Sequence, residues 1–151
     1  MLGSNREIHQ QYIVPQFDAR HNALLACNPY NQEFGRRVAF LTASKEPHAV
    51  TGSRAEFIGP GESYARPIGL RRVGLSGVVD AGPDPCAAFQ MHLWLAPGEA
   101  EEVYFLLGQG EDAEDAIRLV ERFRDEQEMR SAWEQAQQVW NRRLGAVTVA
   151  T

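Results

Sequence analysis

Arg54-Ala55-Glu56-Phe57-Ile58-Gly59, then Asp84-Pro85-Cys86-Ala87-Ala88, then Leu95-Ala96-Pro97-Gly98-Glu99 running into Phe105-Leu106-Leu107-Gly108, punctuate residues 54–109 in that order. Each couples a short apolar run to a residue that stops a strand. Proline has no backbone donor, and glycine takes conformations that other residues avoid, so neither continues a ladder comfortably. Residues 54–58 are expected to form a strand ended by Gly59-Pro60-Gly61. Residues 87–95 and 101–107 flank Ala96-Pro97-Gly98-Glu99, where proline followed by glycine suits a reversing turn. These two runs are expected to pair as an antiparallel hairpin.

The same punctuation continues toward the N-terminus. Residues 7–14 alternate, with Ile8, Tyr12 and Val14 on one face, and end at Pro15. Residues 22–27 are a short apolar run closed by Asn28-Pro29, and residues 37–43 place Val38, Phe40 and Thr42 on one side. Residues 75–81 lead into Gly82-Pro83-Asp84-Pro85. Many short strands with close glycine and proline turns predict a mainly β chain, an antiparallel β-sandwich without crossover helices. Residues 59–72 lack periodicity and are expected to form a long surface loop, a place where function often resides.

The tail changes period. Ala113, Ile117, Val120 and Arg124 fall at helical spacing, and Ala116 and Phe123 widen the stripe. Asp112 suits an N-cap, and Asp125 followed by Glu128 has capping-box spacing for a second helix. Met129, Trp133, Ala136 and Trp140 line one face of that helix. Its tryptophans need a partner, either the sheet of this domain or a neighbouring domain.

At 151 residues the chain can bury roughly 70% of its unfolded surface in one domain. A net charge of -5 gives no electrostatic reason to expect nucleic acid. No apolar run approaches the roughly 20 residues that span a bilayer, and the first six residues lack the apolar centre of a signal peptide. Cys27 and Cys86 sit in apolar segments and are expected to be buried free thiols, which fits a cytoplasmic location.

No reactive constellation stands out. His9, His21, His48 and His92 are scattered without His-x-x-x-His or Cys-x-x-Cys spacing, so neither a metal nor a cofactor is expected. His92 is read as a solvent-facing or satisfied strand residue. Ser76 has no Gly-x-Ser-x-Gly elbow, and Gly108-Gln109-Gly110 lacks the third glycine of a dinucleotide loop. Asp80 and Asp84 read as turn residues. Arg54 and Glu56, two apart on an expected strand, would share a face, as a surface ion pair or as the lining of a polar site.

Taken together, Arg54, Phe57 and Gly59, Asp84-Pro85-Cys86, Leu93, Leu95, Pro97-Gly98-Glu99, Val103, Phe105 and Leu107-Gly108 resemble the N-terminal β-sandwich of family 94 glycoside phosphorylases. Asn28-Pro29-Tyr30-Asn31, Glu33-Phe34-Gly35 and Arg37-Val38-Ala39-Phe40 look most like its cyclic β-1,2-glucan synthase branch. The resemblance implies a supersandwich of the galactose-mutarotase-like kind over residues 1–109. Residues 110–151 would then be a helical linker segment of two helices, leading toward an (α/α)6 catalytic barrel outside this sequence. Such enzymes cleave β-glucosidic bonds by direct attack of phosphate, with a barrel aspartate as general acid. No position here matches that acid, so no catalytic residue is assigned. The parent is expected to be a glycosyltransferase or glycoside phosphorylase anchored in the bacterial inner membrane, and this piece by itself inactive.

By the same resemblance Arg54 would reach the acceptor side of the sugar site, where its planar donor fork suits hydroxyls or a nearby carboxylate. Glu56, Tyr64 and Arg66 are further candidate sugar contacts. Expected partners are a β-glucan or gluco-oligosaccharide, the catalytic barrel and a second copy in a homodimer. A stand-alone carbohydrate-binding module is the alternative. It would display a flat row of exposed aromatics, whereas Trp94, bordered by apolar residues in an expected strand, reads as core or docking surface.

Overall fold

The computed structural model describes residues 10–145. Among them, strands β1 (Val14–Asp18), β2 (Ala23–Cys27), β3 (Val38–Ala43) and β6 (Phe105–Gly110) form one antiparallel sheet in the order β1-β2-β3-β6. Strands β4 (Ala49–Ser53) and β5 (Pro85–Gln90) form a second, smaller antiparallel sheet. Helices α1 (Arg54–Ile58), α2 (Ala113–Arg124) and α3 (Glu126–Leu144) and a short 3-10 turn (Ile68–Arg71) complete the fold. The mainly β, antiparallel architecture read from the punctuation is the one observed.

Side-chain alternation builds the layers. Ala23, Leu25, Val38 and Phe40 project to one face of the large sheet and pack against Ala116 and Val120 of α2. Thr42, on the same face and fully buried, keeps its hydroxyl satisfied by donating to the Asn22 carbonyl at 3.0 Å. The opposite face looks toward the small sheet. Between them Leu24, Leu41 and Leu107 meet Pro85 and Cys86 around an apolar cavity of about 210 Å³. Two glycines of β6 allow close packing, Gly108 against Phe40 and Gly110 against α2. A Cβ at Gly108 would lie 2.4 Å from the Phe40 ring, and one at Gly110 would lie 2.3 Å from the Ala116 backbone nitrogen.

Several expected elements differ. Val14 opens a strand instead of closing one, and β1 runs through Pro15. An edge strand tolerates this because one of its sides needs no donor. Residues 7–9 of the expected alternating strand lie outside the described residues. Residues 54–58 are helical; the strand is the preceding Ala49–Ser53. Residues 75–81 do not form the expected strand, and Gly77 within them turns the backbone at φ 76°. They touch β4 through two bonds, Gly77 N–H to the Val50 carbonyl and Gly52 N–H to the Val78 carbonyl, both 2.9 Å.

The expected hairpin across Ala96-Pro97-Gly98-Glu99 is not formed. The turn itself is, with Gly98 at φ 86° and Glu99 N–H donating to the Ala96 carbonyl at 3.0 Å. Its arms part: β5 pairs with β4, and β6 pairs with β3. β5 stops at Gln90 because its partner begins at Ala49, directly opposite.

The two tail helices start as the sequence predicts. The Asp112 carboxylate accepts from Asp115 N–H, and that of Asp125 from Glu128 N–H, each at 2.9 Å. Burial then separates them. Ala116 and Val120 of α2 are fully buried, whereas α3 buries none of its residues. Trp133 and Trp140 are 64% and 57% exposed, so this domain's own sheet does not cover the tryptophan stripe. Among the described residues no helix is long and apolar enough to cross a membrane.

Candidate functional site

β4 ends at Ser53, whose hydroxyl accepts the N–H of Glu56 at 3.3 Å and starts α1. Gly59, at φ 89°, closes the helix, and a Cβ there would sit 2.8 Å from the Ile68 side chain. Arg54 and Glu56 therefore stand roughly 200° apart on a helical turn instead of side by side on a strand. They do not pair with each other. Each anchors a different loop.

Arg54 reaches across thirty residues of sequence to the second family-like pattern. Its Nε donates to both Asp84 carboxylate oxygens at 2.9 Å, and Nη2 also donates to that carboxylate. Its backbone N–H donates to the Asp84 carbonyl at 3.2 Å. Nη1 donates to the Tyr64 hydroxyl at 2.5 Å. Hydrogen bonding to Asp84, then to Tyr64, drives the guanidinium further toward its charged form. Asp84 is thus an ion-pair anchor as well as a turn residue.

Glu56 gathers the other side. Oε2 accepts from the Thr51 hydroxyl at 2.5 Å and the Ser76 hydroxyl at 2.6 Å. Oε1 accepts from Ser76 N–H at 2.7 Å and lies 3.5 Å from Arg72 Nη1. Burial works against its charge, but the Ser76 and Thr51 donors outweigh it, with help from Arg72, and hold the carboxyl below the usual glutamate range.

Three of the four expected sugar contacts are near this corner. Arg54 and Tyr64 touch, Glu56 lies on α1 with Arg54, and Tyr64 is 71% exposed. Arg66 is exposed in the loop, and the structure does not tie its side chain to the cluster. Beside Arg54 an open cleft of about 230 Å³ is lined by Gly52, Ser53, Ala55, Asp80 and Asp84. Sequence reading missed Asp84, Thr51, Ser76 and Arg72 as partners. One signal was available: Ser53 with Glu56 three residues later is helix-start spacing.

Residues 1–126 match the glycosyl hydrolase 94 supersandwich domain. The chain belongs to this family. The supersandwich chain is also 28% identical over 152 residues to the cyclic beta-(1,2)-glucan synthase NdvB of Rhizobium meliloti (strain 1021). That alignment covers 100% of the chain but 5% of the relative, so the chain spans a small fraction of the length of the protein it resembles.

Elsewhere in the supersandwich domain, Cys27 and Cys86 are both free and half-buried. Burial, then the charge of Asp84, pushes the Cys86 thiol up to about 11, far from the thiolate a nucleophile needs. His48 and His92 stack with ring centroids 3.7 Å apart, a contact with no signature in their sequence positions. Trp94 lies past the end of β5 and is 89% exposed, which removes it from the core. Among the described residues no group of three or more His, Cys, Asp or Glu side chains is placed to hold a metal ion.

Proposed function

We infer that this chain is a non-catalytic β-sandwich part of a cyclic β-1,2-glucan synthase-like carbohydrate-active enzyme. It supports a phosphorylase-like barrel and borders the acceptor-sugar site. The observation that carries this reading is the Arg54–Asp84–Tyr64 cluster, which joins two family-like patterns at one corner of a supersandwich domain. Arg54 fixes the Tyr64 hydroxyl, and the largely exposed Tyr64 ring offers a surface on which a sugar face can stack. Glu56 acts through the loop it holds. Tyr64 and Arg66 supply the outward contacts, and residues 110–151 lead toward the barrel.

In this reading the parent works at the cytoplasmic side of an inner membrane, with a β-glucan or gluco-oligosaccharide as substrate and a homodimer as its assembly. The chain itself needs no metal or cofactor and does not bind nucleic acid. Isothermal titration with β-1,2-gluco-oligosaccharides tests it. Binding by the chain alone is expected to be no tighter than millimolar, with no phosphate released or taken up. A micromolar Kd, or any phosphorolysis, overturns the supporting role.

One observation favours a second reading, a stand-alone carbohydrate-binding module. Trp94 and Tyr64 are 89% and 71% exposed, as a sugar platform requires. Micromolar binding that disappears in Trp94→Ala is the result that would select it.

A further inference from the structure

The register of three neighbouring strands leaves a hollow on the large sheet. Leu24, Leu41 and Leu107 stand opposite one another across β2, β3 and β6. Two residues along, on the same face, the matching positions are Ala26, Ala39 and Gln109. Two methyl groups there replace two leucine side chains, so the surface drops. The loop from Asn28 to Arg37 rises beside it and makes the hollow a cleft of about 230 Å³. Its lining joins the two alanines and the Phe34 ring to four polar side chains, Asn28, Asn31, Arg37 and Gln109.

The loop holds its shape without help from a ligand. Asn31 Oδ1 accepts the N–H groups of Glu33 and Phe34 at 2.9 and 2.7 Å, and Asn28 Oδ1 accepts that of Tyr30 at 3.2 Å. Arg37 N–H donates to the Phe34 carbonyl at 2.9 Å. A Cβ at Gly35 would overlap the Asn31 carbonyl, so the loop closes on itself. These bonds use the asparagine carbonyls and leave their NH2 groups unspent. The Arg37 guanidinium lies 5.3 Å from the centroid of the Phe34 ring, which is 45% exposed. Among the described residues neither that guanidinium, nor the two asparagine NH2 groups, nor the Gln109 amide has a hydrogen-bond or ion-pair partner.

Two chemistries therefore meet in one cleft. A planar donor fork and amides suit ligand oxygens, whereas methyl groups and an aromatic ring suit a C–H face. A sugar ring carries both on one small rigid body. A lone phosphate would engage the donors and leave the apolar floor idle. We propose that this cleft is a second sugar subsite, taking one pyranose unit of a gluco-oligosaccharide. Its C–H face lies on Ala26, Ala39 and Phe34, and its hydroxyls meet Arg37, Gln109 and the asparagine amides. The subsite rests on the reading of the chain as part of a carbohydrate-active enzyme. It lies on the large sheet, whereas the Arg54 cluster belongs to the end of β4. Residues 28–37, which carry the resemblance to the glucan synthase branch and have no part in the Arg54 cluster, gain a role here.

The test is nitrogen–proton NMR of the whole chain during titration with β-1,2-gluco-oligosaccharides at millimolar concentration. Saturable shifts are expected at the side-chain amides of Asn28, Asn31 and Gln109 and at Arg37 Nε. Arg37→Gln is expected to weaken that binding about tenfold, as loss of a hydrogen bond to a charged group would. Gln109→Ala is expected to weaken it about threefold. Both residues are exposed, and either variant tests the site if the other fails to fold. Shifts confined to Arg54 and Tyr64, or no shifts at all, overturn the second subsite and leave the supporting role standing. Shifts produced by inorganic phosphate and not by the sugar also overturn it. Micromolar binding that survives in both variants overturns the subsite and the supporting role together.

Discussion

Gly110→Ala is expected to destabilise the domain by about 3 kcal/mol, at the top of the range for overpacking a filled core. The reason is local and geometric. The new methyl would fall 2.3 Å from the Ala116 backbone nitrogen and 2.7 Å from its Cα, so relief requires the first turn of α2 to move as a body. That turn is held by the Asp112 cap and by Ala116, which is fully buried. Gly108→Ala meets the tip of the Phe40 ring at 2.4 Å, a side chain that can tilt, and should cost less. Denaturant unfolding measures both. A Gly110→Ala loss below that of Gly108→Ala would mean that α2 does not pack as described.

Glu56→Ala is expected to cost about 1 to 2 kcal/mol, because it strands the fully buried Thr51 hydroxyl and removes the tie to the exposed Ser76 donors. Glu56→Gln keeps one carbonyl acceptor and should cost about 1 kcal/mol. The pair also predicts a pH effect. The folded carboxyl titrates below the usual value near 4.5, so the folded state binds fewer protons than the unfolded one in acid. Its contribution is therefore complete above that value and is lost as pH falls through the depressed folded one. Acid unfolding curves should show a limb in the parent that is reduced in Glu56→Gln. Equal acid sensitivity in both proteins would remove Glu56 from its place as the tie between β4 and residues 72–78.

Strand existence was legible wherever alternation met a clear stop, as in β2 and β3. Helix starts were legible at Asp112 and Asp125 because short carboxylates in front of apolar periodicity have a strong local preference. What failed was pairing. Nothing in residues 87–107 says that the two arms of a good proline-glycine turn belong to different sheets, since that choice depends on partners far away in sequence. Arg54-Ala55-Glu56-Phe57-Ile58 misled for another reason. Five residues fit either period, and the deciding signal lay just outside, in Ser53. The site was half legible. Arg54 was singled out, but its partner Asp84 was visible only as a turn former, and the stacked histidines left no trace in the spacing.

The route from β3 to β6 governs how quickly the domain can assemble. The whole small sheet, residues 44–104, is spliced between two neighbouring strands, so Val38 must find Gly110 across the largest separation in the large sheet. Closing about 60 residues costs roughly 1.6 kcal/mol more chain entropy than closing about 10, whereas β1, β2 and β3 meet through short connections. The three-stranded meander can thus form early, with β6 and α2 sealing it last. In that order Gly110→Ala speeds unfolding and leaves the refolding rate nearly unchanged, and a slowed refolding arm in stopped-flow chevrons would place the seal early instead.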